Sequence, residues 1–296
     1  MRSRGIAIGG LAALLLAGLL LNGCGGGGTG GREITVDGPI KLERVFEEGK
    51  EIKYKFAMNN QSGVKLTSYE QTIASQAEFK TTNTFTSVSG DAVEMTMRFD
   101  YAVGAMTYGD QMRADESVSS LRGKELLVTL DLDGKVQSWT GLTGEDAAES
   151  GAGQLAMLLY DVFPPLPDEP VTVGSTWTED LDVPDITTAV EQDIIGETTY
   201  TVTGFKAKYE INCVEIQTVT DFEFEGRAEQ GGDVWLMSGA GTSTGTMLVS
   251  LEDGTIVVSA GDMTMELTGE GASVAGAAAG ETVSLGIKSS LKIELL

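Results

Sequence analysis

From Glu33 to the C-terminus, apolar and polar residues alternate with a period of two almost without a break, and this limits the fold to β-structure. Ile52, Tyr54 and Phe56 alternate with Glu51, Lys53 and Lys55; Val93, Met95, Met97, Phe99 and Tyr101 alternate with Glu94, Thr96, Arg98 and Asp100. Such segments bury one face and wet the other, as antiparallel sheets do. The final run Val283, Leu285, Ile287, Leu291, Ile293, Leu295 keeps one parity, with Ser289 as its only polar member. That run reads as a structural strand whose truncation prevents folding. Tyr209, Ile211 and Cys213 share one parity while Val214, Ile216, Phe222 and Phe224 share the other, which predicts a β-bulge near Cys213 and Val214.

One helix interrupts the pattern. Leu155, Leu158, Leu159, Val162 and Phe163 recur at helical spacing, with Thr143 and Asp146 as a loose cap. Pro164, Pro165, Pro167 and Pro170 then impose an extended strap, because each fixes its own φ and disfavours helix in the residue before it.

The two sides of this break look alike. Leu132-Asp133-Gly134-Lys135-Val136 matches Glu252-Asp253-Gly254-Thr255-Ile256, Phe46-Glu47-Glu48-Gly49 matches Val171-Thr172-Val173-Gly174, and Thr84-Phe85-Thr86 matches Thr199-Tyr200-Thr201. The expected architecture is mainly β: two similar antiparallel curved-sheet units, duplicated and half-barrel-like, joined by one helix and a Pro-rich connector. Boundaries fall at 1–23, 24–32 (a glycine-rich tether), 33–141 (first β-unit), 142–170 (helix and connector) and 171–296 (second β-unit).

Composition removes whole classes of chemistry. The chain has no histidine, which excludes Ser-His-Asp and Cys-His catalysis and histidine metal sites. Its two cysteines are too few for zinc or iron–sulfur centres, and Cys213 in an apolar strand reads as a small buried hydrophobe. A formal charge of −24 repels nucleic acid and anionic headgroups, so no nucleic-acid partner is expected.

At the N-terminus, Arg2 and Arg4 precede an uncharged leucine-rich stretch from Ile6 to Leu21, which is the layout of a secretory signal. Leu21-Asn22-Gly23-Cys24 resembles the lipobox of bacterial lipoprotein precursors. The resemblance implies cleavage before Cys24, lipidation of that residue with acyl chains such as palmitate, and a membrane anchor in the cell envelope. Asn22 is less usual at its position in that motif. Gly25 in place of an aspartate favours the outer membrane if the cell has one. An uncleaved transmembrane helix is the alternative, against which the glycines and the cysteine at its exit argue. Removal of residues 1–23 leaves 18 basic and 44 acidic residues, a formal charge of −26. Phe163-Pro164-Pro165-Leu166-Pro167-Asp168-Glu169-Pro170-Val171, followed by Val173-Gly174-Ser175-Thr176-Trp177, resembles uncharacterised cell-envelope lipoproteins, a likeness that brings no activity.

Candidate chemistry is sparse. Asp131, Asp133 and Gly134, with Glu252 and Asp253, read like calcium-loop fragments, but plain type I′ hairpin turns account for them better. The pairs Glu47/Glu48 and Asp168/Glu169 would serve a carboxylate hydrolase, yet solvated turn carboxylates are normal in so acidic a chain. Gly226 to Gly245 carries no phosphate-binding motif and reads as loops or edge bends around Trp235. Met95, Met97, Met247, Met263 and Met265 in strands fit core packing, with a ligand cavity as the second reading. No catalytic, cofactor or metal residue is assigned, and Cys24 is the one chemical site. The sequence therefore points to a non-catalytic carrier of an apolar or amphiphilic ligand. It would be similar, by fold analogy only, to open half-barrels covered by helices. A structural or protein-interaction scaffold stands second, and a hydrolase third.

Overall fold

The computed structural model describes residues 29–66, 69–141, 158–159, 161–181, 190–230, 233–271 and 282–296. The proposed signal and Cys24, together with Thr143, Asp146 and Leu155, lie outside them. Among the described residues, thirteen strands form one antiparallel sheet. They are β1 (Arg32–Glu33), β2 (Glu51–Leu66), β3 (Tyr69–Ser89), β4 (Ala92–Tyr108), β5 (Gln111–Ala114), β6 (Glu125–Asp131), β7 (Val136–Thr140), β8 (Thr176–Asp180), β9 (Val190–Lys208), β10 (Ile211–Gln230), β11 (Asp233–Ser250), β12 (Ile256–Gly271) and β13 (Thr282–Leu295). The order is β1-β9-β10-β11-β12-β13-β2-β3-β4-β6-β7, with β5 also on β4 and β8 also on β9. The C-terminal strand thus lies in the middle, pairing β12 on one side and β2 on the other, and joins the two halves of the chain.

The alternation produces one buried face. Along β13, Val283, Leu285, Ile287, Leu291 and Ile293 are buried while the residues that alternate with them are exposed or half-buried. The largest cluster gathers Tyr54, Phe56, Phe79, Phe85, Met95, Met97, Leu126, Leu130, Val202, Val214 and Ile293 around Leu158, Leu159 and Val162. Those last three residues sit in the expected helix, where Leu158, Leu159, Asp161 and Val162 are helical and the Phe163 N–H donates to the Leu159 carbonyl at 3.0 Å. A second cluster at the other end of the long strands gathers Val64, Ile73, Ile194, Phe222, Phe224, Met265, Leu267 and Leu285. A short helix that the periodicity did not signal, α1 (Glu116–Ser119), is capped by Asp115, whose carboxylate accepts the Ser117 and Val118 N–H groups.

Three expectations are corrected in detail. Within the stretch Gly226 to Gly245 the described residues are strand and not loop: they run through β10 and β11, and Trp235 pairs with Gly271 inside the sheet. Gly239 and Gly241 there are packing features. The Phe222 ring lies where a Gly241 Cβ would be, and the backbone of Glu266 blocks one at Gly239. Gly241→Ala is expected to cost about 1–3 kcal/mol through overpacking, readable as a lowered urea midpoint at unchanged slope.

The register irregularity falls between Glu215 and Ile216, where β9 carries Thr203 as its extra residue, and not at Cys213 and Val214. The parity change has another cause. Cys213, Leu248, Val257 and Val258 form a third cluster, so both sides of the sheet are buried at this point. Burial pushes the Cys213 thiol up to about 11. Cys213 is therefore expected to resist iodoacetamide at pH 8 in the native protein and to react fully in 6 M urea, which mass spectrometry of the alkylated chain reads directly.

The Asp-Gly turns are longer than type I′. Asp131 to Lys135 closes a three-residue loop and Ser250 to Thr255 a four-residue one, each with its glycine at positive φ, +88° for Gly134 and +68° for Gly254.

Candidate functional site

Register places an unusual row across the inner face. Thr198 on β9 pairs with Thr220 on β10, then Ser243 on β11, Met263 on β12, Ser289 on β13, Asn60 on β2 and Ser75 on β3. All but Ser75 are buried. The row separates the two large apolar clusters. On one side lie Phe222, Met265, Ile287 and Ile73, and on the other, past Thr218 and Met58, lie Ile216, Met247, Ile293 and Phe56.

Some of these polar groups satisfy one another. The Thr198 and Thr220 hydroxyls meet at 2.9 Å, and the Ser243 hydroxyl donates to the Asp262 carbonyl at 3.3 Å. Others have no partner: Asn60 Oδ1 in the row, Thr218 Oγ1 next to it, and Trp177 Nε1 at the edge, where the indole stacks on Tyr200 at 5.1 Å. An unpaired buried polar group costs about 1–3 kcal/mol, so each marks a place where folding alone does not justify the residue. Asp161, buried in the helical turn, has its carboxyl pushed well above the usual carboxylate range by burial. The Tyr200 hydroxyl is raised by burial in the same way, with Glu179 and Asp161 adding to it.

The row was missed from sequence, where its only trace was Ser289 in an otherwise apolar run. An open groove of about 630 Å³ runs at this level, bordered by Asn60, Ser75, Met263 and Ser289 of the row but mostly by residues of the opposite parity, Asp262 and Lys288 among them. The five strand methionines singled out from sequence are all buried. Met95, Met97 and Met247 belong to the cluster around the helical turn, while Met263 lies in the polar row and Met265 beside it.

The other candidate residues go elsewhere. Asp131 Oδ1 accepts the Asp133 and Lys135 N–H groups at 3.0 and 2.8 Å and its Oδ2 accepts from Gln137, while Asp253 accepts the Thr255 N–H and pairs with Lys50 at 2.8 Å. Arg44 reaches both turns. Its Nε donates to the Asp133 carbonyl at 3.1 Å, Nη1 to Gly254 at 3.4 Å and Nη2 to Pro164 at 2.5 Å, with the guanidinium 5.3 Å from the Phe163 ring centroid. Burial pulls its pKa down to about 10, so it stays charged at neutral pH. Among the described residues no three His, Cys, Asp or Glu side chains gather to hold a metal. Glu47, Glu48, Asp168 and Glu169 are exposed.

No protein-family model matches the chain, and no curated protein matches it. Among solved structures it is similar to OccK5 (OpdH) of Pseudomonas aeruginosa, with 6% identity, a TM-score of 0.26, and coverage of 83% of this chain and 98% of that one. An outer membrane channel from Pseudomonas putida F1 gives 8% identity, a TM-score of 0.23, and 88% and 100% coverage. A DUF1329 family protein from Desulfovibrio piger gives 8%, 0.13, and 81% and 84%.

Proposed function

We propose that the protein is a lipid-anchored, non-catalytic carrier of the cell envelope whose inner sheet face holds an apolar or amphiphilic molecule. The observation that carries this reading is the inner face itself: two apolar clusters divided by a buried row of hydroxyl and amide groups, with Asn60 Oδ1 and Thr218 Oγ1 unpartnered. Ligand sites are mostly apolar with a few convergent polar groups, and this face has that composition. The absence of histidine and the solvated acidic pairs favour binding over catalysis.

Anchoring rests on the lipobox-like Leu21-Asn22-Gly23-Cys24. Two or more acyl chains on Cys24 hold a protein stably at a bilayer, because each buried methylene contributes about 0.8 kcal/mol. A Cys24→Ser variant that still takes up labelled palmitate sinks the anchor. Duplication of the two β-units is part of the same reading, supported by matching hydrogen bonds. The Gly49 N–H donates to Phe85 and the Phe85 N–H to Lys50, while the Gly174 N–H donates to Val202 and the Val202 N–H to Ser175, at 2.8, 3.1, 2.8 and 2.9 Å. By these bonds the counterpart of Phe85 is Val202, two residues beyond the Tyr200 that the sequence match assigns.

The carrier is tested by solvent extraction of the natively purified protein and mass spectrometry. One amphiphile in near-stoichiometric amount is expected, and an empty, cooperatively folded protein overturns it. A scaffold would instead recover one stoichiometric protein partner on crosslinking.

A further inference from the structure

The carrier reading leaves the chemistry of the ligand open, and the polar row narrows it. Thr198, Thr220, Ser243, Ser289 and Asn60 bring hydroxyls and one amide to adjacent strands at one level of the inner face. The rows on either side add Thr218 and Ser62, and between β9 and β3 none of the three rows contains a charged side chain among the described residues. Within the row itself the charged residues, Glu179 on β8 and Arg113 on β5, lie at the sheet margins and are exposed, and Asp262 and Lys288, which border the groove, stand at positions that alternate to the opposite face. A buried carboxylate or phosphate needs a cation or several N–H donors to replace its hydration, and this row has neither. Hydroxyl, ester and amide groups need only one or two hydrogen bonds each. Asn60, nine-tenths buried, and Thr218, fully buried, each hold an unused oxygen toward this face. The Asn60 oxygen accepts from a ligand hydroxyl or N–H, and the Thr218 hydroxyl donates to a carbonyl or accepts.

We infer that the row selects an amphiphile whose polar part is uncharged and rich in hydroxyl, ester or amide groups, and rejects amphiphiles ending in carboxylate or phosphate. The polar part lies at the level of Asn60 and Thr218, and acyl or other apolar parts extend along the clusters on either side. The acidic body acts in the same direction, since a formal charge of −24 repels an anionic ligand before contact.

The inference rests on the carrier reading and is separable from it by experiment. The full chain, freed of extractable lipid, is titrated with radiolabelled 1-oleoylglycerol and with oleate, which share an acyl chain and differ in the charge of the polar part. Oleoylglycerol is expected to bind at least tenfold more tightly. Asn60→Leu and Thr218→Val are each expected to weaken it by about tenfold without lowering the melting temperature. Removing an unpartnered buried polar atom does not cost stability, whereas a merely structural residue would show its loss there. Equal or tighter binding of oleate overturns the inference and leaves the carrier standing. Wild-type affinity in both variants overturns it as well. Binding of neither probe, together with an empty core on extraction, overturns the carrier and the inference with it.

Discussion

A stop codon at Thr282 is expected to leave a chain that does not fold, although it removes only the last strand. β13 is central: it pairs with β12 from Val258↔Glu294 to Glu270↔Thr282 and with β2 from Tyr54↔Leu295 to Lys65↔Ser284. Its Val283, Leu285, Ile287, Leu291 and Ile293 are 7% exposed or less. Fully burying each such side chain contributes about 1.5–3 kcal/mol, so five together match the roughly 5–15 kcal/mol by which a typical protein is stable. Loss of the strand also leaves two long apolar-faced edges, on β12 and β2, open to aggregation. Circular dichroism and soluble yield after expression test this, with deletion of the exposed Leu296 alone as the harmless control. A truncated chain that melts cooperatively would show that the halves fold independently.

Replacement of Arg44 is expected to have the next largest effect. The guanidinium ties together the Asp133 and Gly254 turns and the Pro164 strap, positions 89, 210 and 120 residues away in sequence, and covers the Phe163 ring. Hydrogen bonds from a charged donor contribute about 1.5–3 kcal/mol each, and the partly buried Gly254 and Pro164 carbonyls find no ready substitute. Arg44→Met is therefore expected to destabilise by roughly 3–5 kcal/mol, below the sum of the three bonds because water reaches part of the site left behind. Arg44→Lys recovers only part of this, because one ammonium cannot fork to three carbonyls. Urea denaturation of the three proteins measures both differences, and a loss below about 1 kcal/mol in Arg44→Met would remove Arg44 from this role.

Much of the fold was legible because local chemistry alone decides it. Alternation in β2, β4 and β13 reports which face is buried whatever the partner strand, and the spacing of Leu158, Leu159 and Val162 reports a helix for the same reason. The prolines from Pro164 to Pro170 act on their own backbone and needed no tertiary context. The lone serine in the β13 run marked the row without revealing it.

Tertiary structure decided what depends on which strands lie side by side. Thr198 and Asn60 are 138 residues apart in the chain, yet the stacked registers of five intervening pairings set them in one row. A slip of one residue in any pairing would turn that strand's side chains to the other face and break the row, and local alternation does not specify such a register. The same holds for Arg44, whose carbonyl partners meet only after the strap crosses the turns, and for Cys213, whose burial comes from packing on the second side of the sheet. Residue order by itself determined a β-protein whose strands bury one main face, with a helical turn between its halves. Strand register, a long-range property, decided where the polar groups of that face converge.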